Sequence, residues 1–247
     1  MKPFARLALA GFLALRLVSV HGAPAPAPPA PPAAAKQASL RPADLAEFDA
    51  QSAPVRALIA DALALTGQGL SYKYGSADPK NGGMDCSGTV NYVLLGQGVA
   101  GVPRDASDFY VWVRKRGLFQ AVNSTDPQSF ELAALKPGDL LFWTGTYSIE
   151  RDPPITHVMI YLGTEKKTGK RVMFGASEGR RYDGASRYGV SVFDFTLPGF
   201  PPPKSYTSGT ARFIGYAPVP GLPAKPEPAP AAPETAPPAS PPPLSPS

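Results

Sequence analysis

The chain has 247 residues, with 24 Lys and Arg against 19 Asp and Glu, a net charge of +5 and only 17% charged residues. That length allows one or two domains. Its single cysteine, Cys86, rules out an intrachain disulfide and a cysteine-rich zinc site, and two histidines cannot build a three-histidine one. No metal and no cofactor is therefore expected.

Residues 1–22 read as a secretory signal: Lys2 and Arg6, then the apolar run Leu7 to Leu15, then Val20-His21-Gly22 before Ala23. The run is too short, and too interrupted by Arg16, to span a bilayer. No cysteine stands near the expected cleavage site, so lipid attachment there is not expected. Export removes Lys2, Arg6 and Arg16 and leaves 21 bases against 19 acids, so the charge falls from +5 to +2. The basic balance then says little about nucleic acid, and no nucleic-acid partner is expected. Arg180-Arg181 and Arg114-Lys115-Arg116 are the only basic clusters, and both read as solvated faces. Residues 23–39 form a Pro/Ala-rich linker and 218–247 a Pro-rich tail. Six prolines fall in 23–35 and thirteen in the tail, and both segments are nearly free of the large apolar residues that offset ordering entropy. The folded unit is expected over 40–217.

Within that unit, Arg41 to Leu45 can start a short helix, and Val55 to Leu65 carries an apolar stripe of Val55, Leu58, Ile59 and Ala62 that ends at Gly67. Ser71 to Gly75 is an extended aromatic segment. A Gly- and Asn-rich turn then leads into a helix that starts near Cys86, with Val90, Val93 and Leu94 on one face. Ser107 is a plausible cap for a helix over Asp108–Lys115. From Leu135 onward the period changes. Lys136 to Asp139 is a turn, with Asp139 as a turn residue. Leu140 to Trp143, Thr156 to Leu162, Arg171 to Ala176, Val190 to Phe195 and Arg212 to Tyr216 are strands. Gly179 to Ser186 reads as a loop, either facing a substrate or merely connecting. Helices first and short strands after predict an α+β domain, with the helices packed on a mostly antiparallel sheet.

A cysteine in the first turn of a buried helix meets free backbone N–H groups and the positive end of the helix dipole, which lower a thiol pKa and favour the nucleophilic thiolate. Gly88, two residues on, lets another backbone or a substrate come close. His157, the sole histidine left after export, begins a buried strand and can serve as base. Taken singly, each residue has a plainer reading: Cys86 as an inert buried thiol, and His157 as a hydrogen-bonded histidine at the core edge.

Asp85-Cys86-Ser87-Gly88, Lys136 to Phe142 and His157 to Gly163 together resemble the three signature blocks of the NlpC family of cell-wall peptidases. Tyr72-Lys73-Tyr74-Gly75 and Pro103-Arg104 match patterns of that family in the same order. The resemblance spans Leu70 to Ser177. It implies a papain-like NlpC-type domain that hydrolyses amide bonds of peptidoglycan stem peptides, typically the γ-D-glutamyl–diaminopimelate bond. Such an enzyme would be secreted to the periplasm or envelope of a bacterium. It also implies Cys86 as nucleophile and His157 as general base. Tyr72, Asp85 and Ser87 would stand at the substrate and oxyanion side, Tyr72 lining the site and Asp85 shaping the turn.

One position departs from the family pattern. Gly175 stands where a polar third catalytic residue, usually histidine, is expected, and folding the hairpin about its loop puts residue 176 opposite His157. Ser177, Glu178 or a water are the candidate substitutes, since the third group mainly fixes tautomer and orientation. Three functions follow: a secreted cysteine amidase of peptidoglycan, a wall-binding or regulatory module with impaired catalysis, or a hydrolase of the same fold acting on another amide. The sequence leaves oligomeric state open.

Overall fold

The computed structural model describes residues 37–197 and 211–222; the expected signal and most of the linker and tail lie outside the described residues. Among the described residues, three α-helices precede a six-stranded sheet. Helix α1 (Ala53–Thr66) is capped by Ser52, whose side chain accepts from the Val55 amide, and it buries Val55, Leu58, Ile59 and Ala62. Helix α2 (Cys86–Gly96) is capped by Asp85. Helix α3 (Ala106–Arg114) is capped by Asp105 rather than Ser107, because the Asp105 carboxylate accepts the Ser107 amide. Arg41 to Asp44 closes into a short 3-10 turn at Pro42–Asp44.

Two-residue strands β1 (Ser71–Tyr72) and β2 (Gly83–Met84) pair in parallel just ahead of α2. The main sheet contains β3 (Gln120–Ala121), β4 (Leu140–Thr144), β5 (Ile155–Thr164), β6 (Arg171–Tyr182), β7 (Ala185–Asp194) and β8 (Arg212–Ala217). Their order is β3-β8-β4-β5-β6-β7, and every pairing is antiparallel. Side chains alternate across it. Leu140, Phe142, Val158, Ile160, Leu162 and Phe174 join Leu58, Ile59, Val90 and Leu94 in one core. Leu141, Trp143, Met159, Tyr161 and Met173 face the other way, into a second core with Phe193, Phe195, Phe213 and Tyr216. Because both faces are covered, β4 and β5 read as unbroken apolar runs, as in a sheet buried on both sides.

Two expectations are corrected. Gly179 to Ser186 is no loop: β6 and β7 run through it and turn only at Asp183-Gly184, where both residues have positive φ (49° and 77°). That two-residue Asp-Gly turn matches the right-handed twist of the strands it joins. Ordered packing also reaches past 40–217. Ala38 is buried, its amide donates to Ser191 Oγ at 2.8 Å, and Val219 is buried at the other end.

Candidate active site

Cys86 is the first residue of α2, and the helix head is built around its neighbour Asp85. One carboxylate oxygen accepts the Gly88 amide at 2.6 Å and the other accepts the Gly75 amide at 2.8 Å. Arg104 completes the arrangement as a two-pronged donor, at 3.0 and 2.7 Å to the two oxygens, with a further bond of 3.1 Å to Ser87 Oγ. Such forked guanidinium–carboxylate pairs fix geometry as well as adding energy. Gly88 makes the close approach possible. A Cβ there would lie 2.2 Å from the Ser76 carbonyl oxygen, so the segment that carries Gly75 can cross the helix head only because residue 88 has no side chain. Asp85 and Ser87 are thus tied up in shaping this head.

A cleft of about 250 Å³ opens over Cys86. Tyr72, Tyr74, Asp85, Ser87, Arg104, Asp105, Tyr147 and Thr156 line it with Cys86. Its far wall is the segment between β4 and β5, bound to the head of α3. Arg151 donates to Asp105 at 2.9 Å and to the Ile155 carbonyl, and Ser107 Oγ donates to the Pro153 carbonyl at 2.9 Å.

The thiol does not have the lowered pKa expected of a helix head. Burial, and secondly the Asp85 carboxylate, push it up to about 11, against a smaller opposite pull from the Val158 and Ser87 amides, which donate to the sulfur. The helix end does supply donors, but the carboxylate that organises it takes the Gly88 amide and sets a like charge beside the sulfur.

Only the Val158 amide brings Cys86 near the histidine's strand. The sulfur meets β5 at the backbone of Val158, the residue after His157, while Thr156 on the other side lines the cleft. His157 itself is buried on the sheet face opposite α2, paired across β4 with Trp143, with the two rings edge-to-face at 5.7 Å. Its Nε2 is buried with no hydrogen-bond partner among the described residues. Burial, and secondly the charge of Arg180, hold its pKa well below the usual histidine value, so the imidazole rests neutral.

The third position is empty of side chain. β5 and β6 pair at Ile160–Phe174 and Tyr161–Met173, and continuing that register sets Gly175 beside Met159 and Ser177, not residue 176, level with His157. A Cβ on Gly175 would lie 2.9 Å from Met159 Cγ, so Met159 fills the space a larger residue would take.

Arg180, expected on a solvated face, is 5% exposed, while Arg181 beside it is exposed. A bulge explains the turn inward. Between the Glu178–Tyr188 and Arg180–Arg187 pairs, Gly179 is an extra residue with φ 100°, which shifts the alternation by one. Arg180 then falls on the face of Trp143 and lies 4.5 Å from the centre of its ring. Its own pKa is lowered by burial to about 9, opposed by Cys86, so its charge reaches both candidate residues. No spacing in the sequence signals this, apart from a glycine two places after Ser177.

Among the described residues no cluster of His, Cys, Asp and Glu could hold a metal, and no helix is long and apolar enough to cross a membrane. What the fold and cleft define is an α+β domain with one thiol at a helix head, against the backbone of the residue that follows a buried, strand-borne histidine. Residues 69–184 match the NlpC/P60 family, whose members are typically cell-wall peptidases. A crystal structure of a protein similar to lipoprotein, NLP/P60 family, from Staphylococcus aureus subsp. aureus Mu50 is 24% identical, with a TM-score of 0.37. The match covers 57% of this chain and 41% of that one. No curated protein matches the chain.

Proposed function

We propose that this protein is a cysteine amidase of the cell envelope that hydrolyses amide bonds in peptidoglycan stem peptides, of the γ-D-glutamyl–diaminopimelate type. Cys86 is the nucleophile and His157 the general base, and the peptide lies in the cleft between Tyr72, Tyr74 and Tyr147. The observation that carries the reading is the position of the thiol: at a capped helix head, on the cleft, against the amide of the residue that follows the only histidine described. Export by the segment 1–22, with a folded enzyme over about 40–217 and Pro-rich flanks, belongs to the same proposal.

The resting pair is neutral thiol and neutral imidazole, so attack and proton transfer go together. The thiol proton passes to His157 as the Cys86 sulfur bonds to the scissile carbonyl carbon. The imidazolium then gives that proton to the departing amine as the C–N bond breaks, which leaves a thioester. A water, deprotonated by His157, hydrolyses the thioester and restores the thiol. The Val158 and Ser87 amides, which already face the sulfur, stabilise its developing negative charge.

Cys86→Ala is expected to release no peptide from purified stem peptide or sacculi while its circular dichroism stays that of the wild type. Release at the wild-type rate rejects the reading. The raised thiol pKa and the unpartnered Nε2 of His157 favour a second reading, a stem-peptide-binding module with little catalysis. In that case wild type and Cys86→Ala bind the peptide equally and neither cleaves it.

A further inference from the structure

The site as described lacks what usually holds the base. Gly175 offers no side chain and His157 Nε2 has no partner among the described residues, yet the imidazole is confined in a buried position. What confines it is a stack. Trp143 and His157 meet edge-to-face at 5.7 Å, and the Arg180 guanidinium lies over the Trp143 ring, 4.5 Å from its centre, within the range of a cation–π contact. Arg180 reaches this place only through the Gly179 bulge, a local departure of the kind that re-aims a side chain next to an active site.

We propose that Arg180 is the positioning residue of this site: it clamps Trp143 against the His157 ring and sets a fixed cation beside the Cys86–His157 pair, in the role a polar third residue would otherwise fill. The proposal rests on the amidase reading for its function, but not for its test.

The charges acting on the pair come from four places. Arg180 projects from β6; Asp85 acts from the head of α2 and Asp105 from the head of α3; Arg104, in the loop before α3, couples to the thiol while bonded to Asp85; β4 contributes only the neutral Trp143. Both carboxylates oppose the thiolate, and Arg180 is the cation whose charge couples to both members of the pair. A cation so placed disfavours imidazolium and favours thiolate. It therefore keeps the base ready to accept a proton and offsets part of the cost of making the sulfur anion. A neutral hydrogen-bonded third residue would favour imidazolium instead, so the arrangement fixes the ring in a different way and shifts its proton affinity in the opposite direction.

The test uses the full chain and compares wild type with Arg180→Lys, Arg180→Met and Arg180→Gln. Two readouts are followed: the pH at which the His157 ring titrates by NMR, assigned with His157→Gln, and the rate of Cys86 alkylation by iodoacetamide at pH 8. Removal of the charge is expected to raise the His157 titration by about 1 pH unit or more. It is also expected to slow alkylation about tenfold, the effect of one unit on the thiol. Arg180→Lys is expected to keep the low titration, because it keeps the charge. Met and Gln are independent routes to a neutral residue, and if neither folds, the wild-type titration stands as the test, since the proposal requires a ring still neutral well below pH 6.5. Equal His157 titration in all four proteins overturns the proposal, and so does an equal shift in all three variants, which would leave only packing. Turnover of stem peptide is measured alongside. A wild type that cleaves nothing, yet shows the charge-dependent shift, sinks the amidase reading and leaves Arg180's role intact; cleavage without the shift does the reverse.

Discussion

At the head of α2, Asp85 accepts bonds from Gly75, Gly88 and Ser87 and the forked pair from Arg104, and the same carboxylate lies beside the Cys86 sulfur. Its structural and electrostatic effects on the thiol run in opposite directions. Asp85→Asn separates them, because the amide oxygen can still accept one backbone N–H while the charge is lost. With the second largest of the three upward pushes on the thiol removed, alkylation of Cys86 at pH 8 is expected to speed up. Stability is expected to fall by about 2 kcal/mol, since the Gly75 amide and Arg104 each lose an anionic acceptor and Arg104 is partly exposed to water. Urea unfolding and an alkylation time course read the two effects. An alkylation rate equal to the wild type's would show that burial alone governs the sulfur.

Helix α2 depends on a crossing that its third residue permits. In Gly88→Ala the new methyl would meet the Ser76 carbonyl oxygen, Asp85 Oδ1 and Ala77 Cα at 2.2, 2.8 and 2.9 Å, two of them backbone atoms that cannot swing away. The expected cost is about 1–3 kcal/mol, read as a lower urea midpoint, together with a misplaced cleft wall; a midpoint equal to the wild type's would mean that the 75–78 segment moves freely. Here the sequence was informative, because a glycine two places after a cysteine at a helix start has few other uses. The helix stripes and the β4 and β5 runs were legible for a similar reason: the apolar period of one element does not depend on its neighbours. The Asp183-Gly184 turn carried a legible signal, yet the stretch reads as a loop when its charges and glycines are weighed ahead of the Asp-Gly pair. Arg180 was not legible. One inserted residue at Gly179 reverses which face every later side chain takes, and strand alternation read without the partner strand cannot register it. The raised thiol pKa is hidden from the sequence for a related reason. The helix end is visible in sequence, but the depth of burial around the sulfur exists only once β5 has packed against it.

For the molecule as a whole, two buried groups carry opposite proton debts, and their balance sets a pH dependence. Asp139 is buried in the turn before β4, where its carboxylate accepts the Lys136 amide at 2.8 Å, and burial pushes its pKa up to about 7. Unfolded, an aspartate titrates near about 4, so between roughly pH 4 and 7 the native state holds a proton that the unfolded chain lacks, and this group's contribution to stability falls as pH rises. His157 is reversed. Its native pKa is well below the ordinary value, so below about pH 6.5 the unfolded chain holds the extra proton, and stability falls as pH drops. Below about pH 6.5 the two slopes therefore oppose each other. Asp139→Asn keeps the acceptor for Lys136 and removes one side of that balance. Its stability is expected to rise with pH more steeply than the wild type's, by about 1.4 kcal/mol per pH unit from about pH 4.5 to 6. Above about pH 7 the two curves should run parallel. Urea unfolding of both proteins from pH 4.5 to 8 measures the difference, and parallel curves throughout would mean that Asp139 reaches water and titrates as it does in the unfolded chain.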